Sequence, residues 1–338
     1  MTLPVLERRP THRAFPLLRS EVSRLTHRRF ARFMALILLG GVVLVSVISF
    51  IAHDTGATSR EQLLENQAEQ QQMWLDCAES TSNPDRVHRF CGEEPSTQPL
   101  ENFDWQGDRR YKAYELLPVA LIGASIAAAG VAFLVGASCG GAEWSSRSMT
   151  LQLLFEPRRL RLLTVKWLSL LLCTALLALL TMALALALGA VTASMRGTWS
   201  DEFALADEFR DTFVSTMVMM GLRGLILVAF AATIGYAVAM LVRNTGASLG
   251  VAFVYFVVLE NGIRFALMKY GTEPFMLSTN AVSFLFPGGL EVPGRDPGGF
   301  AEVPMVAVTN LRAFWTLLTY VAVLSVPTAW FFTRRDVS

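Results

Sequence analysis

Long apolar segments, separated by charged ones, are the main feature of this sequence. A helix needs roughly 20 apolar residues to cross a hydrocarbon layer about 30 Å thick. Six segments reach that length, at residues 33–52, 114–138, 163–191, 222–242, 245–267 and 313–332. The pattern predicts an all-α polytopic membrane protein whose six transmembrane helices occupy a domain of residues 33–338. We number these helices as spans one to six.

The composition agrees with a membrane protein. Of the 338 residues, 53% are apolar and only 17% are charged, and the mean hydropathy is +0.42. A soluble domain is usually about one quarter charged. The four histidines lie outside the apolar segments, and the four cysteines form no CxxC pair, so we expect no metal site. The net charge of +1 gives no reason to expect a nucleic-acid partner.

The distribution of arginine predicts the orientation in the membrane. Residues 1–32 contain eight arginines, and further basic residues follow spans two, four and six at Arg147, Arg158, Arg159, Arg161, Arg243, Arg334 and Arg335. Basic flanks lie on the cytoplasmic side of a membrane. The acidic segment 192–212 falls on the opposite side. We therefore expect a multi-pass protein of the cell membrane with both termini in the cytoplasm.

Residues 1–32 are predicted to be a basic cytoplasmic tail that includes an interface helix. Across residues 14–30, Phe15, Leu18, Val22 and Leu25 share one helical face, while arginines occupy the other faces. Such a helix lies along a membrane surface, with its cations near anionic lipid headgroups. An unstructured basic tail that only fixes the topology is the alternative.

Residues 53–113 are predicted to form a large extracytoplasmic loop. The loop is polar and contains Cys77 and Cys91, which flank a turn-rich stretch. On an oxidising face these cysteines would form a disulfide worth about 3 kcal/mol in the chain-entropy description. Two free thiols are the alternative.

The connection between spans two and three, residues 141–167, is more apolar than a solvated loop needs to be. It contains a run of Met, Leu and Phe between Met149 and Phe155, and Pro157 would end any helix formed there. A short apolar helix in a cytoplasmic loop needs a groove on a partner protein.

This connection resembles that of ABC-2 type transporter permeases. The resemblance is carried by an acid, an arginine, a Leu-Leu pair and a Pro-Arg-Arg group, here Glu143, Arg147, Leu153, Leu154, Pro157, Arg158 and Arg159, followed by Lys166. Phe155 lies directly after the Leu-Leu pair. The turn at residues 241–245 and the ending Phe-Phe-Thr-Arg-Arg-Asp at residues 331–336 are also similar to that family. The chain departs from the family at residues 146–148, where a Gly-Thr pair is usual.

The resemblance implies a non-catalytic membrane subunit of an ABC exporter for a hydrophobic or amphipathic substrate. The eight residues from Glu143 to Arg159 would then couple to an ABC ATPase subunit. ATP and magnesium would bind that partner, because this chain has no P-loop motif and we expect no cofactor on it. A second copy, forming a homodimer, or a sister permease would complete the pathway. Small residues within 124–141 make span two a candidate dimer face.

Residues 271–300, after span five, are too apolar for an ordinary outer loop and too rich in proline and glycine to span the membrane. We expect an outer re-entrant or surface-lying helical hairpin. Members of the resembling family have such helices, which help to close the pathway. An ordinary amphipathic cap is the alternative.

Charges inside spans four and five predict an ion pair. Arg223 precedes Arg243 by 20 residues, about 30 Å along a helix, and Glu260 follows Arg243 by 17 residues, about 25 Å. We expect Arg223 and Glu260 to pair, with Arg264 as a competing partner for the carboxylate. The pair would act as an outer gate or substrate contact, or it would only pin two helices together.

Two other functions remain open at this point. A membrane anchor or sensor could use the 53–113 loop to bind a ligand or partner. An intramembrane hydrolase could use the Glu260-to-Arg264 spacing, but a second glutamate and a histidine within a span are lacking.

Overall fold

The computed structural model describes residues 14–55, 60–80, 91, 110–146, 148–149, 152, 158–198, 206–267, 270–295 and 304–334. Within these residues, six helices are long and apolar enough to cross a membrane. This finding confirms the predicted all-α polytopic fold. The chain divides into two compact units, which are described separately. The larger unit comprises Met1–Val45, Leu117–Leu188 and Asp201–Ser338, and the smaller comprises Ser46–Leu116 and Gly189–Ser200.

Ten α-helices and two short strand pairs make up the described residues. The helices are α1 Ala14–His27, α2 Arg29–Ala52, α3 Arg60–Ser80, α4 Ala113–Ser145, α5 Arg159–Arg196, α6 Ala206–Val242, α7 Thr245–Phe253, α8 Asn261–Leu267, α9 Leu277–Leu285 and α10 Asn310–Arg334. Strand β1 (Tyr111–Lys112) pairs in parallel with β2 (Gly197–Thr198), and β3 (Leu290–Pro293) pairs antiparallel with β4 (Met305–Val308). Spans one to four correspond to α2, α4, α5 and α6, and span six corresponds to α10.

Several spans are longer than a membrane requires. The 38 residues of α5 extend about 57 Å, almost twice the thickness of a hydrocarbon core. Span four was expected to begin at Leu222, but its helix α6 begins at Ala206. The apolar pattern marks only the part of a helix that lipid would surround, so it misses helical turns that continue beyond the hydrocarbon.

Two glycines let α4 and α6 pack backbone against backbone. A Cβ atom at Gly136 of α4 would meet the Ala232 carbonyl of α6, and one at Gly235 of α6 would meet the Phe133 carbonyl of α4. Half of the apolar window of each helix is buried, compared with 6% for α2. Some of the small residues of span two, such as Gly136, therefore pack against another helix of the same chain, whereas Ala127 and Gly130 remain exposed.

Span five is not a regular α-helix. A π-helical segment, Val254–Glu260, joins α7 to α8. A 3₁₀ turn, Glu273–Phe275, then leads into α9, and α9 packs against α6 and α10. The predicted helical segment after span five is thus present, but β3 and β4 follow it where a second helix of a hairpin was expected. Gly288 and Gly289, both with positive φ, turn the chain between α9 and β3.

Among the described residues of the smaller unit, a disulfide and an arginine make well-defined contacts. Cys77 at the end of α3 is bonded to Cys91, with their Cα atoms 5.8 Å apart. Arg196 lies 4.2 Å above the Phe50 ring and donates a hydrogen bond of 2.9 Å to the carbonyl of His53. The two contacts of Arg196 fix the end of α2 against the end of α5 beside the β1–β2 pair.

Candidate functional site

Four charged side chains meet where α1, α4 and α5 come together. Lys166 of α5 places Nζ 2.8 Å from Oε2 and 2.9 Å from Oε1 of Glu143, near the end of α4. The same Nζ lies 3.3 Å from both carboxylate oxygens of Glu21 in α1. Arg28, between α1 and α2, brings Nη2 within 3.0 Å of Oε1 of Glu143. We call these four residues the ionic cluster.

Burial makes the pairing in this cluster necessary. The exposed side-chain fraction is 3% for Lys166, 6% for Glu143 and 11% for Glu21. An ion removed from water costs several kcal/mol unless an opposite charge offsets it. Here the ammonium of Lys166 faces two carboxylates, and Glu143 also faces the guanidinium of Arg28. Arg24 pairs with Glu21 as well, but it is 45% exposed, and an exposed pair of this kind contributes little.

The cluster lies beside the segment predicted to contact an ATPase. Glu143 is two residues before the end of α4, and Lys166 is seven residues after the start of α5. Residues 146–158 connect these two helix ends. Any force applied to that connection therefore reaches the helices at the point where the ionic cluster holds them to α1.

The structure places the residues predicted to couple to an ATPase in different environments. Glu143 is buried in the ionic cluster, so its carboxylate is not available for direct contact with another protein. Arg159 donates long hydrogen bonds, of 3.4 and 3.5 Å, to the carbonyls of Phe332 and Thr333 at the end of α10. Arg158 is exposed at the start of α5. Five other predicted residues lie outside the described ones: Arg147, Leu153, Leu154, Phe155 and Pro157.

The sequence pattern predicts little of the ionic cluster. The pattern places Arg28 on a helical face turned toward lipid headgroups and gives Glu21 no partner. The structure turns Arg28 toward Glu143 because a carboxylate in a low-dielectric site attracts a cation more strongly than a hydrated group does. A usable signal was present: Lys166 is a single cation among apolar neighbours, and a charge at that depth needs a partner within the protein.

A second polar arrangement fixes the first turn of α9. Glu260, at the end of the π-helical segment, accepts a hydrogen bond of 2.6 Å from the backbone N–H of Ser278. The first N–H groups of a helix have no acceptor within the helix, and the helix dipole favours a negative charge there. Glu260 is only 3% exposed, so its carboxylate is hydrogen-bonded to α9 instead of to water.

The last turn of α9 is held by hydrogen-bond donors that bind its carbonyl groups. The side-chain amide of Asn310, at the start of α10, donates to the carbonyls of Ser283, Phe284 and Phe286 at 2.9, 3.1 and 2.7 Å. Arg223 of α6 also donates to the carbonyl of Phe286, at 3.5 Å. These carbonyls form the negative end of the helix dipole. We call Glu260, Asn310 and Arg223 the α9 clamp.

The predicted Arg223–Glu260 pair does not form, because each side chain binds one end of α9 instead. The helix dipole thus supplies both residues with a counter-charge. Arg264, the predicted competitor for Glu260, pairs with Glu273, with Nε 2.9 Å from Oε1. The prediction treated span five as a regular helix, and it did not locate the helical segment expected after span five between the two charges.

Replacing Lys166 by Met should lower the free energy of unfolding by about 3 kcal/mol, because Glu21 and Glu143 would lose a buried partner. Thermal unfolding of the purified protein in detergent would measure this as a lower Tm. Arg24→Ala, which removes the exposed pair with the same Glu21, should cost less than about 1 kcal/mol. Equal losses for both variants would contradict the importance of the ionic cluster. Adding Glu143→Gln to Lys166→Met should restore part of the loss.

Replacing Glu260 by Ala should loosen α9, because the N–H of Ser278 would lose its acceptor. Hydrogen exchange of the amides in α9 should become roughly fivefold to tenfold faster, as expected for a lost helix cap of about 1 kcal/mol. Glu260→Gln keeps an acceptor oxygen and should change exchange by less than about twofold. Exchange in α4 serves as the internal reference. If Glu260→Ala leaves α9 as protected as before, the carboxylate does not hold this helix.

Comparisons with known proteins do not identify a family. No family model matches the chain, and no curated protein sequence matches it. The resemblance to ABC-2 permeases therefore rests on the residues of this chain alone, and its functional content is a proposal.

Proposed function

We propose that this chain is the transmembrane permease subunit of an ATP-driven exporter of the ABC-2 type. In this proposal, a separate ABC ATPase subunit binds the cytoplasmic connection between α4 and α5. Six membrane-spanning helices, an amphipathic helix before the first of them and a short helix after the fifth are consistent with such a subunit. A hydrophobic or amphipathic substrate would cross the cell membrane.

The observation that carries the proposal is the ionic cluster. Its ion pairs hold α1 to the ends of α4 and α5, on either side of the connection at residues 146–158. A connection that only joined two spans would not need buried charges at its base. A connection that receives force from a partner needs such buried ion pairs, because the movement is transmitted only if α4 and α5, the helices it joins, move together.

The mechanism follows from this arrangement. ATP binding would close the ATPase pair and displace the connection. The ionic cluster would make α1, α4 and α5 move as one body, since separating any of them leaves a buried charge without its partner. The close packing of α4 with α6 would carry the movement to the centre of the larger unit.

A second copy of the chain would complete the pathway in this proposal. The apolar windows of α2, the fifth span and α10 are only 6%, 11% and 17% buried. Their surfaces are thus available to lipid and to a second permease subunit, which would be either an identical chain or a sister chain. In this proposal, ATP and magnesium bind the partner ATPase, and ATP is hydrolysed there and not on this chain.

Replacing Phe155 or Leu154 by Asp should release the ATPase subunit, because a charge cannot enter an apolar groove without a partner. Co-purification of the P-loop ATPase with the tagged permease would measure the release, which we expect to be at least about tenfold. Met73→Asp is the matched control, because Met73 is a highly exposed apolar residue of α3, in the loop predicted to lie on the opposite side of the membrane. Unchanged recovery of the ATPase with Phe155→Asp would exclude docking at this connection.

In the same complex, Glu143→Gln should have a different effect from the docking variants. The ATPase should remain bound, because Glu143 is buried and not part of the contact surface. Loss of the Lys166–Glu143 pair should instead reduce substrate-stimulated ATP hydrolysis. If Glu143→Gln releases the ATPase as completely as Phe155→Asp does, force transmission through the ionic cluster is the wrong explanation.

The orientation of the chain is tested separately with single cysteines in a background without the free cysteines Cys139 and Cys173. An impermeant maleimide added to intact cells should label Thr55→Cys, after α2, and should not label Ser146→Cys, after α4. Both positions are exposed in the structure, so accessibility to solvent does not distinguish them. Labelling of Ser146→Cys from outside would invert the topology and remove the basis for an ATPase partner.

A further inference from the structure

A cleft lies where the ends of α4, α6 and α10 meet. Trp144 and Arg243 line one side, and Thr328, Phe331 and Phe332 line the other. The cleft contains no residue of the ionic cluster or of the α9 clamp. Of the predicted coupling residues, Arg159 reaches its edge by donating to the carbonyl of Phe332. Its lining combines one cation with apolar and aromatic surface.

Arg243 adopts a backbone conformation that is unusual for arginine. Its φ is 59°, in the left-handed region that glycine and asparagine normally occupy. The tight joint requires this conformation, because α6 ends at Val242 and Asn244 already caps α7 through the backbone N–H of Ala247. An arginine at this position is unfavourable for folding, which points to a role for its side chain.

The guanidinium of Arg243 lies over the Trp144 indole, with Cζ 4.3 Å from the ring centroid. Other arginines of this chain, such as Arg24, Arg28 and Arg264, each pair with a glutamate. In the part of the chain that the structure describes, no carboxylate pairs with Arg243. Stacking on a ring occupies the face of a guanidinium and leaves the N–H groups at its edge free to donate.

We infer that this cleft binds the phosphate group of an anionic phospholipid. A guanidinium edge matches two phosphate oxygens in a bidentate contact. Trp144 has the amphipathic ring that is typical of the level of lipid headgroups, and Phe331 and Phe332 provide apolar surface for the start of an acyl chain. Arg243 directly follows the apolar segment 222–242, and a cation that flanks an apolar span of this length is expected at the level of the lipid headgroups. Basic pockets between spans at this depth suit anionic lipids.

Native mass spectrometry of the purified full-length protein tests the inference, with dioleoyl phosphatidylglycerol as the probe and dioleoyl phosphatidylcholine as the zwitterionic comparison. The wild type should retain phosphatidylglycerol in preference to phosphatidylcholine. Arg243→Asn should bind phosphatidylglycerol about tenfold more weakly, because charge-assisted hydrogen bonds to the phosphate are lost. Asparagine accepts the left-handed conformation, so the Tm should be maintained.

The matched control is Arg312→Ala. Arg312 also lies over an aromatic ring, that of Phe275, but it is at the other end of α10. Its replacement should leave phosphatidylglycerol binding unchanged. An equal loss in Arg312→Ala and Arg243→Asn would overturn the inference, as would equal retention of the two lipids by the wild type. Full competition by inorganic phosphate would also overturn it, because a free anion would then suffice.

A measurement on the wild type does not depend on any variant. A photoactivatable phosphatidylglycerol should cross-link to peptides that contain residues 240–243 or 328–332. Cross-links confined to other helices would contradict the inference even if Arg243→Asn failed to fold. Protection of the same peptides by the ATPase subunit, without any lipid cross-link, would assign the cleft to that protein instead.

Discussion

A charge at membrane depth needs an opposite charge within the protein, and Lys166 imposes this requirement on three helices. Its side chain is 3% exposed, and its ammonium contacts Glu21 of α1 and Glu143 of α4. Hydrophobic packing alone would not position α1, because lipid is as apolar as the protein surface. The ion pairs are directional, so they fix both the position and the orientation of the three helices. Both ends of the connection between α4 and α5 are therefore held in fixed positions by the ionic cluster.

The same constraint is met differently around α9. Glu260 and Arg223 have opposite charges and lie on neighbouring spans, yet the structure separates them by a nine-residue helix. The dipole of α9 presents partial positive charge to Glu260 and partial negative charge to Arg223. One short helix thus neutralises two buried side chains and is itself held by both. Asn310 adds three hydrogen bonds from span six, so α9 connects three spans.

The sequence predicted the features that depend on length and apolar pattern. Six spans, a helix before span one and a helical segment after span five are all present, because each needs only local information. The pairing of buried charges was predicted poorly. Lys166 and Glu143 were visible as charges, but the choice of Glu21 as a partner depends on how α1 packs. The Arg223–Glu260 prediction failed because the π-helical segment and the position of α9 between the two charges depend on tertiary structure, which a straight-helix estimate omits.

The ionic cluster and the α9 clamp should differ in the free energy needed to break them. This difference sets the order in which their contacts open under load. Removing one partner from a buried ion pair costs about 3–5 kcal/mol, whereas a helix cap contributes about 1 kcal/mol. When the same force acts on both, α9 should separate from Glu260 before Lys166 separates from Glu143. The base of the α4–α5 connection should therefore move as a rigid body while the contacts of α9 open. For an exporter driven from the ATPase side, this order lets the opposite end of the pathway yield first.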